Sequence, residues 1–337
     1  MNIKSSKLVN EYFEEKLREE SLRIVPNSLT NNKIKSNKIK FYLPNFYRNI
    51  IKYTELDKWI KQNPEWFYNN IEIGAVYGVF PFSLWNGGRG NRGAVPVPAK
   101  EIESVIYAYN KQNIPVRFTF TNCLIEEKHL YDTYCNLIMD IANTGMNEVL
   151  VNSEILEKYL REKYPNYKYI LSTTACIRDV NIINQKTKEY DMVVIDYNDN
   201  KNATFMDKII DKQKIEILIN EICPPNCPIR KAHYELLSRC NLDINYIELN
   251  IPECGNYRRQ LNKDDLNFYK ILEENSKNNL FVEELYQQYV PIGFNNFKIE
   301  GRGITPNYSL EAIYYYMVRP EYKDSIRYDL TSIQEKI

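Results

Sequence analysis

The chain has 337 residues, with 44 lysines and arginines against 44 aspartates and glutamates, and seven cysteines. Balanced charge argues against a general nucleic-acid binder, which would carry a basic excess or stripe, and no apolar run approaches the ~18 residues of a membrane span. Met1-Asn2-Ile3-Lys4-Ser5 leads into charged residues with no apolar h-region, so the expected setting is cytoplasmic, where seven thiols stay reduced or bind metal.

Leu8, Tyr12, Phe13, Leu17 and Leu22 give part of a helical stripe, and the breaker-rich run from Pro26 to Asn37 follows it. Residues 1–38 are therefore expected to be a short helical extension and linker. From residue 39 short runs rich in β-branched and aromatic residues recur at Lys40–Asn45, Ile71–Phe80, Pro115–Asn122, Asn147–Asn152, Tyr167–Thr173, Met192–Asn198, Ile215–Asn220 and Phe297–Arg302. Helical patterns lie between most of them, at Tyr47–Gln62, Lys100–Gln112, Glu126–Asn143, Ser153–Lys163, Phe205–Lys212, Pro228–Arg239 and Asp264–Asn275. Strands alternating with helices imply parallel crossovers. Eight such units predict an α/β fold, a (β/α)8 TIM-like barrel over residues 39–337. A doubly wound sheet is the alternative, but no strand is followed by a GxGxxG phosphate loop.

Barrel chemistry collects at the C-terminal ends of the strands. There the sequence places Asn122, Asp196, Glu221, Glu300 and Arg302. Asn, Ser and Thr commonly end strands or cap helices, whereas ionised groups at a barrel mouth need a partner or a task. Asp196, Glu221 and Glu300 are thus candidates for proton transfer, with His233 a further candidate catalytic group. The loop after the second strand, Pro81 to Gly93, carries Gly87, Gly88, Gly90 and Gly93 beside Arg89 and Arg92. It is either a plain surface loop or an anion cradle. Arg89, Arg117 and Arg302, together with Asn122, are expected to bind a small anionic substrate.

After the seventh strand comes Cys223-Pro224-Pro225-Asn226-Cys227, stiffened by proline, with Cys240 and Cys254 downstream. Four thiolates suit an iron–sulfur cluster, and four cysteines, or three with a histidine, suit structural zinc. Cys240 could equally be a buried core thiol, and catalytic use of a thiol is the lesser alternative. No HExxH, GxSxG or P-loop motif is present.

The string Asn296-Phe297-Lys298-Ile299-Glu300-Gly301-Arg302 resembles the KIEGR segment of the collagenase-like (U-32) peptidase family, where it forms the final barrel strand. Gly74-Ala75-Val76-Tyr77-Gly78 and the position of the Cys loop resemble that family too. The resemblance spans roughly residues 39–320. It implies a TIM barrel whose relatives include proteins assigned as proteases and others acting in tRNA or ubiquinone hydroxylation, in which four cysteines hold an iron–sulfur cluster. Carried over, the ligands would be Cys223, Cys227, Cys240 and Cys254. Three functions follow as expectations: a metal- or cluster-dependent barrel enzyme on a small anionic substrate; a metal-independent hydrolase or lyase on a peptide or sugar-like substrate; or a non-catalytic barrel that binds a ligand or partner.

Overall fold

The computed structural model describes residues 38–88, 95–243, 246, 267–301 and 306–333. The expected extension over residues 1–38 lies outside them save for Lys38. All eight expected strands are present: β1 Ile39–Pro44, β2 Ile71–Gly78, β3 Val116–Phe120, β4 Glu148–Val151, β5 Lys168–Leu171, β6 Met192–Val194, β7 Ile215–Leu218 and β8 Asn296–Lys298. They pair in chain order, and β8 returns to β1 through Lys40↔Asn296, Phe41↔Phe297 and Tyr42↔Lys298. Every pairing is parallel. The (β/α)8 barrel is thereby closed.

Period-two alternation divides each strand between two environments. Phe41, Phe118, Val149, Val193, Ile217 and Phe297 face outward into one large core beneath the helices. Leu150, Ile170 and Val194 form a separate small cluster inside the barrel, as do Tyr42, Ala75 and Tyr77. The helices of the outer ring are α1 Ile50–Gln62, α2 Ala99–Asn110, α3 Thr133–Ile141, α4 Glu154–Lys163, α5 Val180–Glu189, α6 Ala203–Asp207, α7 Arg230–Leu242, α8 Phe268–Glu274, α9 Pro306–Met317 and α10 Lys323–Ser332.

Three departures from the sequence reading have physical causes. The single helix expected over Glu126–Asn143 is split into a 3-10 turn at Glu127–His129 and α3, because the Asp132 carboxylate accepts the Cys135 N–H at 2.7 Å and starts a new helix there. Helix α5 has too polar a composition to stand out as a helical pattern. It is capped by Asp179, which accepts the Asn181 N–H at 2.7 Å, and it buries only Ile183 and Thr187. Helices α9 and α10 follow β8, and the aromatic side chains Tyr308, Tyr315 and Tyr316 of α9 are buried.

The barrel interior is unusually polar. Arg117 on β3 is fully buried and donates through Nε to Glu148 on β4 at 2.6 Å and through Nη1 to Glu216 on β7. Its guanidinium lies 4.1 Å from the centre of the Tyr42 ring. Glu216 also faces Lys298 on β8, with Nζ to Oε1 at 3.6 Å. Two cations and two carboxylates therefore replace part of the aliphatic packing that usually fills such a barrel.

Candidate active site at the barrel mouth

Two openings lie at opposite poles of the barrel. The one at the N-terminal pole is larger, about 570 Å³, but its charges are largely matched in place. Lys40 pairs with Glu72 at 3.8 Å, Lys61 with Asp57 at 2.6 Å, and Asp191 accepts the Tyr169 N–H at 2.8 Å. The C-terminal mouth holds a smaller cavity of about 50 Å³, lined by Glu221, Cys223, Cys227, His233, Lys298 and Glu300, with Thr121, Ser172 and Thr173 facing them. That is room for a few waters or one small polar group. The mouth is the better candidate, because it collects several kinds of reactive side chain at the pole where βα loops converge.

Local rules deliver these side chains. Asn296, Lys298 and Glu300 are two residues apart, so all three point into the barrel. The Asn220 side chain extends the β7–β8 ladder past its end: Oδ1 accepts the Glu300 N–H at 2.7 Å and Nδ2 donates to the Glu300 carbonyl at 3.1 Å. Glu300 is thereby fixed over the cavity. Tyr77 on β2 donates to the Ile299 carbonyl at 2.6 Å and approaches Glu300 Oε2 at 3.4 Å. The Lys298 ammonium sits 4.2 Å from the centre of the Tyr77 ring. Thr121 Oγ1, at the end of β3, is buried and makes no hydrogen bond among the described residues.

Glu221 is buried, and its Oε1 accepts the N–H groups of Ile222 and Cys223 at 2.8 and 2.9 Å. The carboxylate thus shapes the start of the Cys loop. Asn226 at the loop's tip adopts a left-handed conformation, φ +52°. Its N–H donates to Asn198 Oδ1 at 2.7 Å, and its own Oδ1 accepts from Arg178 at 3.1 Å. Arg178 is held in turn by a bidentate pair to Asp199, 2.9 Å at each arm. The loop is clamped to the end of β6.

Asp196 lies at the mouth but is already engaged. Its Oδ2 accepts from Arg230 Nη1 at 2.6 Å and its Oδ1 from the Asn198 N–H at 3.0 Å. Arg230 uses its remaining donors on the Thr173 carbonyl and hydroxyl, both at 3.1 Å, and on Tyr234 Oη at 2.9 Å. Burial disfavours charge on Arg230, but Tyr234, Asp196 and Tyr197 around it more than compensate, so its pKa rises. Burial, with the Glu221 and Cys223 charges nearby, also raises the Tyr234 phenol, although Arg230 opposes this. The Asp196–Arg230 pair ties the start of α7 to β5 and β6.

Two of the expected substrate contacts lie away from the cavity lining. Arg117 is enclosed inside the barrel by Glu148 and Glu216, since position 117 shares its strand face with Thr119 and Thr121. No donor of it reaches the mouth cavity's lining. Asn122 is fully buried and spent on the scaffold: Nδ2 donates to the Leu84 and Ser238 carbonyls, both at 3.1 Å, and Oδ1 accepts the Leu124 N–H at 2.9 Å. Arg89 and Arg302 lie outside the described residues.

Of the four expected thiolates, Cys223 and Cys227 line the cavity and are half-buried. Cys240 is buried on α7, two helical turns or about 10 Å beyond His233, and does not line the cavity. Cys254 lies outside the described residues. Among the described residues, no three His, Cys, Asp or Glu side chains are grouped to hold a metal ion. The described members of the set do not fit a four-ligand cluster.

Lys298, Arg230 and Tyr77 join the site without being among the sequence-based candidates. Lys298 is legible in the sequence, because strand alternation puts it on the face of Glu300. Tyr77 is legible as a strand-end residue but its contact with Glu300 is not, and Arg230 is not legible at all, since both roles depend on which strand ends meet across the mouth.

No protein-family model matches the chain, and no curated protein matches it. It is similar to a solved structure described as that of a U32 peptidase, with a TM-score of 0.50 and 16% identity over 84% of this chain and 100% of that one. At that identity the likeness is one of fold. No helix among the described residues is long and apolar enough to cross a membrane. The molecule is thus a closed (β/α)8 barrel whose fold is similar to that of a U32 peptidase.

Proposed function

We propose that this barrel is an enzyme that performs acid–base chemistry at its mouth on a small, carboxylate-bearing substrate such as a short peptide or hydroxy acid. One observation carries the reading: Lys298, the last residue of β8, and Glu300, two residues beyond it, line the same small cavity as Glu221 and His233. Lys298 supplies positive charge for the substrate carboxylate, and the hydroxyls of Thr121 and Ser172 supply neutral hydrogen-bonding groups. Glu300 is the proton carrier of choice. Its backbone is held by Asn220 and it lines the cavity, with the Tyr77 hydroxyl 3.4 Å from Oε2, whereas Asp196 is not among the lining residues. His233, on the first turn of α7, is placed for a second proton transfer. The test is mass-spectrometric screening of the purified chain against small peptides and hydroxy or amino acids. Whatever substrate is turned over, Glu300→Gln should slow it on the order of 100-fold without unfolding the protein. Full turnover in that variant would end the assignment.

A Cys-bound zinc or iron–sulfur centre is the second reading, supported by Cys223 and Cys227 both lining the cavity. Thiolates are ligands that both groups accept. The measurement is metal content and visible absorption after anaerobic purification and reconstitution. Bound metal that disappears in Cys223→Ser would support this reading. Protein that takes up neither iron nor zinc would remove it.

A further inference from the structure

We propose that Arg117 is a positioning residue for the mouth: acting through Glu216, it sets where the Lys298 ammonium stands beneath the cavity. The inference rests on Lys298 being the cation of the site. The chain of contacts crosses the barrel from pole to pole. Glu148 holds Arg117 Nε at 2.6 Å, Arg117 Nη1 takes Glu216 Oε2, and Glu216 Oε1 faces Lys298 Nζ at 3.6 Å. That Oε1 is buried and accepts no hydrogen bond among the described residues.

Stability alone does not call for this arrangement. A buried ion pair recovers at best what its desolvation costs, and well-packed aliphatic side chains fill such a space as well or better. The ionic core does something an aliphatic one cannot. Arg117 occupies one Glu216 oxygen and so divides the carboxylate between two cations. The ammonium is then attracted toward Glu216 yet remains 3.6 Å away, over the Tyr77 ring and in the cavity wall. Without Arg117, both oxygens of Glu216 are available to Lys298, which is drawn down into the barrel. The groups facing this region are Glu216 from β7, Tyr77 from β2, Tyr42 from β1, Arg117 from β3, Glu148 from β4, and Glu300 and Glu221 at the rim. Arg117 is the member that shares Glu216 with Lys298.

The test reads Lys298 directly. Full-length protein is labelled briefly with acetic anhydride at constant pH, and acetylation of Lys298 is scored by mass spectrometry relative to exposed Lys168. In Glu216→Gln the ammonium loses the carboxylate it shares with Arg117, so the Lys298 to Lys168 ratio should rise about tenfold, the effect of one unit in acidity. In Arg117→Met the ratio should fall to about a third of its starting value or less, since the whole carboxylate then stabilises the ammonium. Should that chain not fold, the charge-balanced R117M/E148M protein is read in its place, with the same expectation. An unchanged ratio in the folded variants overturns the proposal. So does a wild-type Lys298 labelled as fast as Lys168. Turnover that survives Lys298→Met would instead overturn the reading of Lys298 as the site's cation, and the labelling result does not depend on it.

Discussion

Arg117→Met is expected to lower the stability of the fold by about 3–5 kcal/mol, the usual consequence of removing one partner from a buried ionic group. The side chain is fully buried, and its loss leaves two buried carboxylates, Glu148 and Glu216, without the guanidinium that pairs with both, while Lys298 faces Glu216 alone of the two. In a thermal scan this corresponds to a fall in Tm of roughly 5–15 °C, allowing for the size of the domain. Charge balance, rather than lost packing, is the cause, and the two can be separated. Arg117→Met with Glu148→Met removes one cation and one carboxylate and leaves Lys298 paired with Glu216. The double variant should therefore be more stable than the single one, by more than about 1 kcal/mol. A double variant as unstable as the sum of its parts would mean that shape, not charge, dominates the barrel interior.

The second large effect is expected at Gly87, in the loop after β2. A Cβ at that position would stand 2.2 Å from the Thr121 carbonyl oxygen, 2.3 Å from its carbon and 2.7 Å from the Asn122 nitrogen. All three are backbone atoms, so no side chain can rotate away. The same place is where the loop is sewn to the end of β3, by Asn122 N–H to the Trp85 carbonyl at 3.1 Å and Asn122 Nδ2 to the Leu84 carbonyl at 3.1 Å. Gly87→Ala must therefore part the loop from the strand, costing about 2–4 kcal/mol. It should also reduce turnover, because the displaced strand end carries Thr121 into the mouth. Gly301→Ala is the comparison: its Cβ would meet Ser309 Oγ at 2.1 Å, a side-chain atom that can turn aside, although Pro44 Cγ stands at 2.9 Å. Its loss should be smaller. A Gly87→Ala protein with an unchanged Tm would show that the loop is looser than this contact implies.

The glycine-rich loop illustrates how much of the site is legible in advance. Four glycines near two arginines point to an anion cradle, but Gly87 is needed for a close backbone approach to β3, a contact between segments 34 residues apart that no local pattern announces. Asn122 differs from its expected role for a related reason. A polar residue at a strand end looks the same whether it faces a ligand or, as here, ties the Leu84 and Ser238 carbonyls together. Arg117 shows the opposite case. Its inward direction follows from alternation with Thr119 and Thr121, but its depth does not, and depth separates a substrate contact from a barrel-interior ion pair.

By itself the sequence determined the number, order and type of the strands, because apolar alternation and breaker placement are local and each run carries its own signal. It also determined that Glu221, Cys223, Cys227 and Glu300 belong at or just past the carboxyl ends of neighbouring strands, since that follows from order alone. Only the tertiary structure decided which of those groups meet, and across which strands. Closing the barrel brings eight strand ends within reach of one another, and each buried charge must then find a partner from whichever strand lies opposite. Arg230 takes Asp196, Asn220 takes the Glu300 backbone, and Arg117 takes both Glu148 and Glu216. Lys298 and Glu300 are left facing the cavity because those pairings are made between residues from 31 to 99 positions apart, across a barrel whose closure is a property of the whole chain.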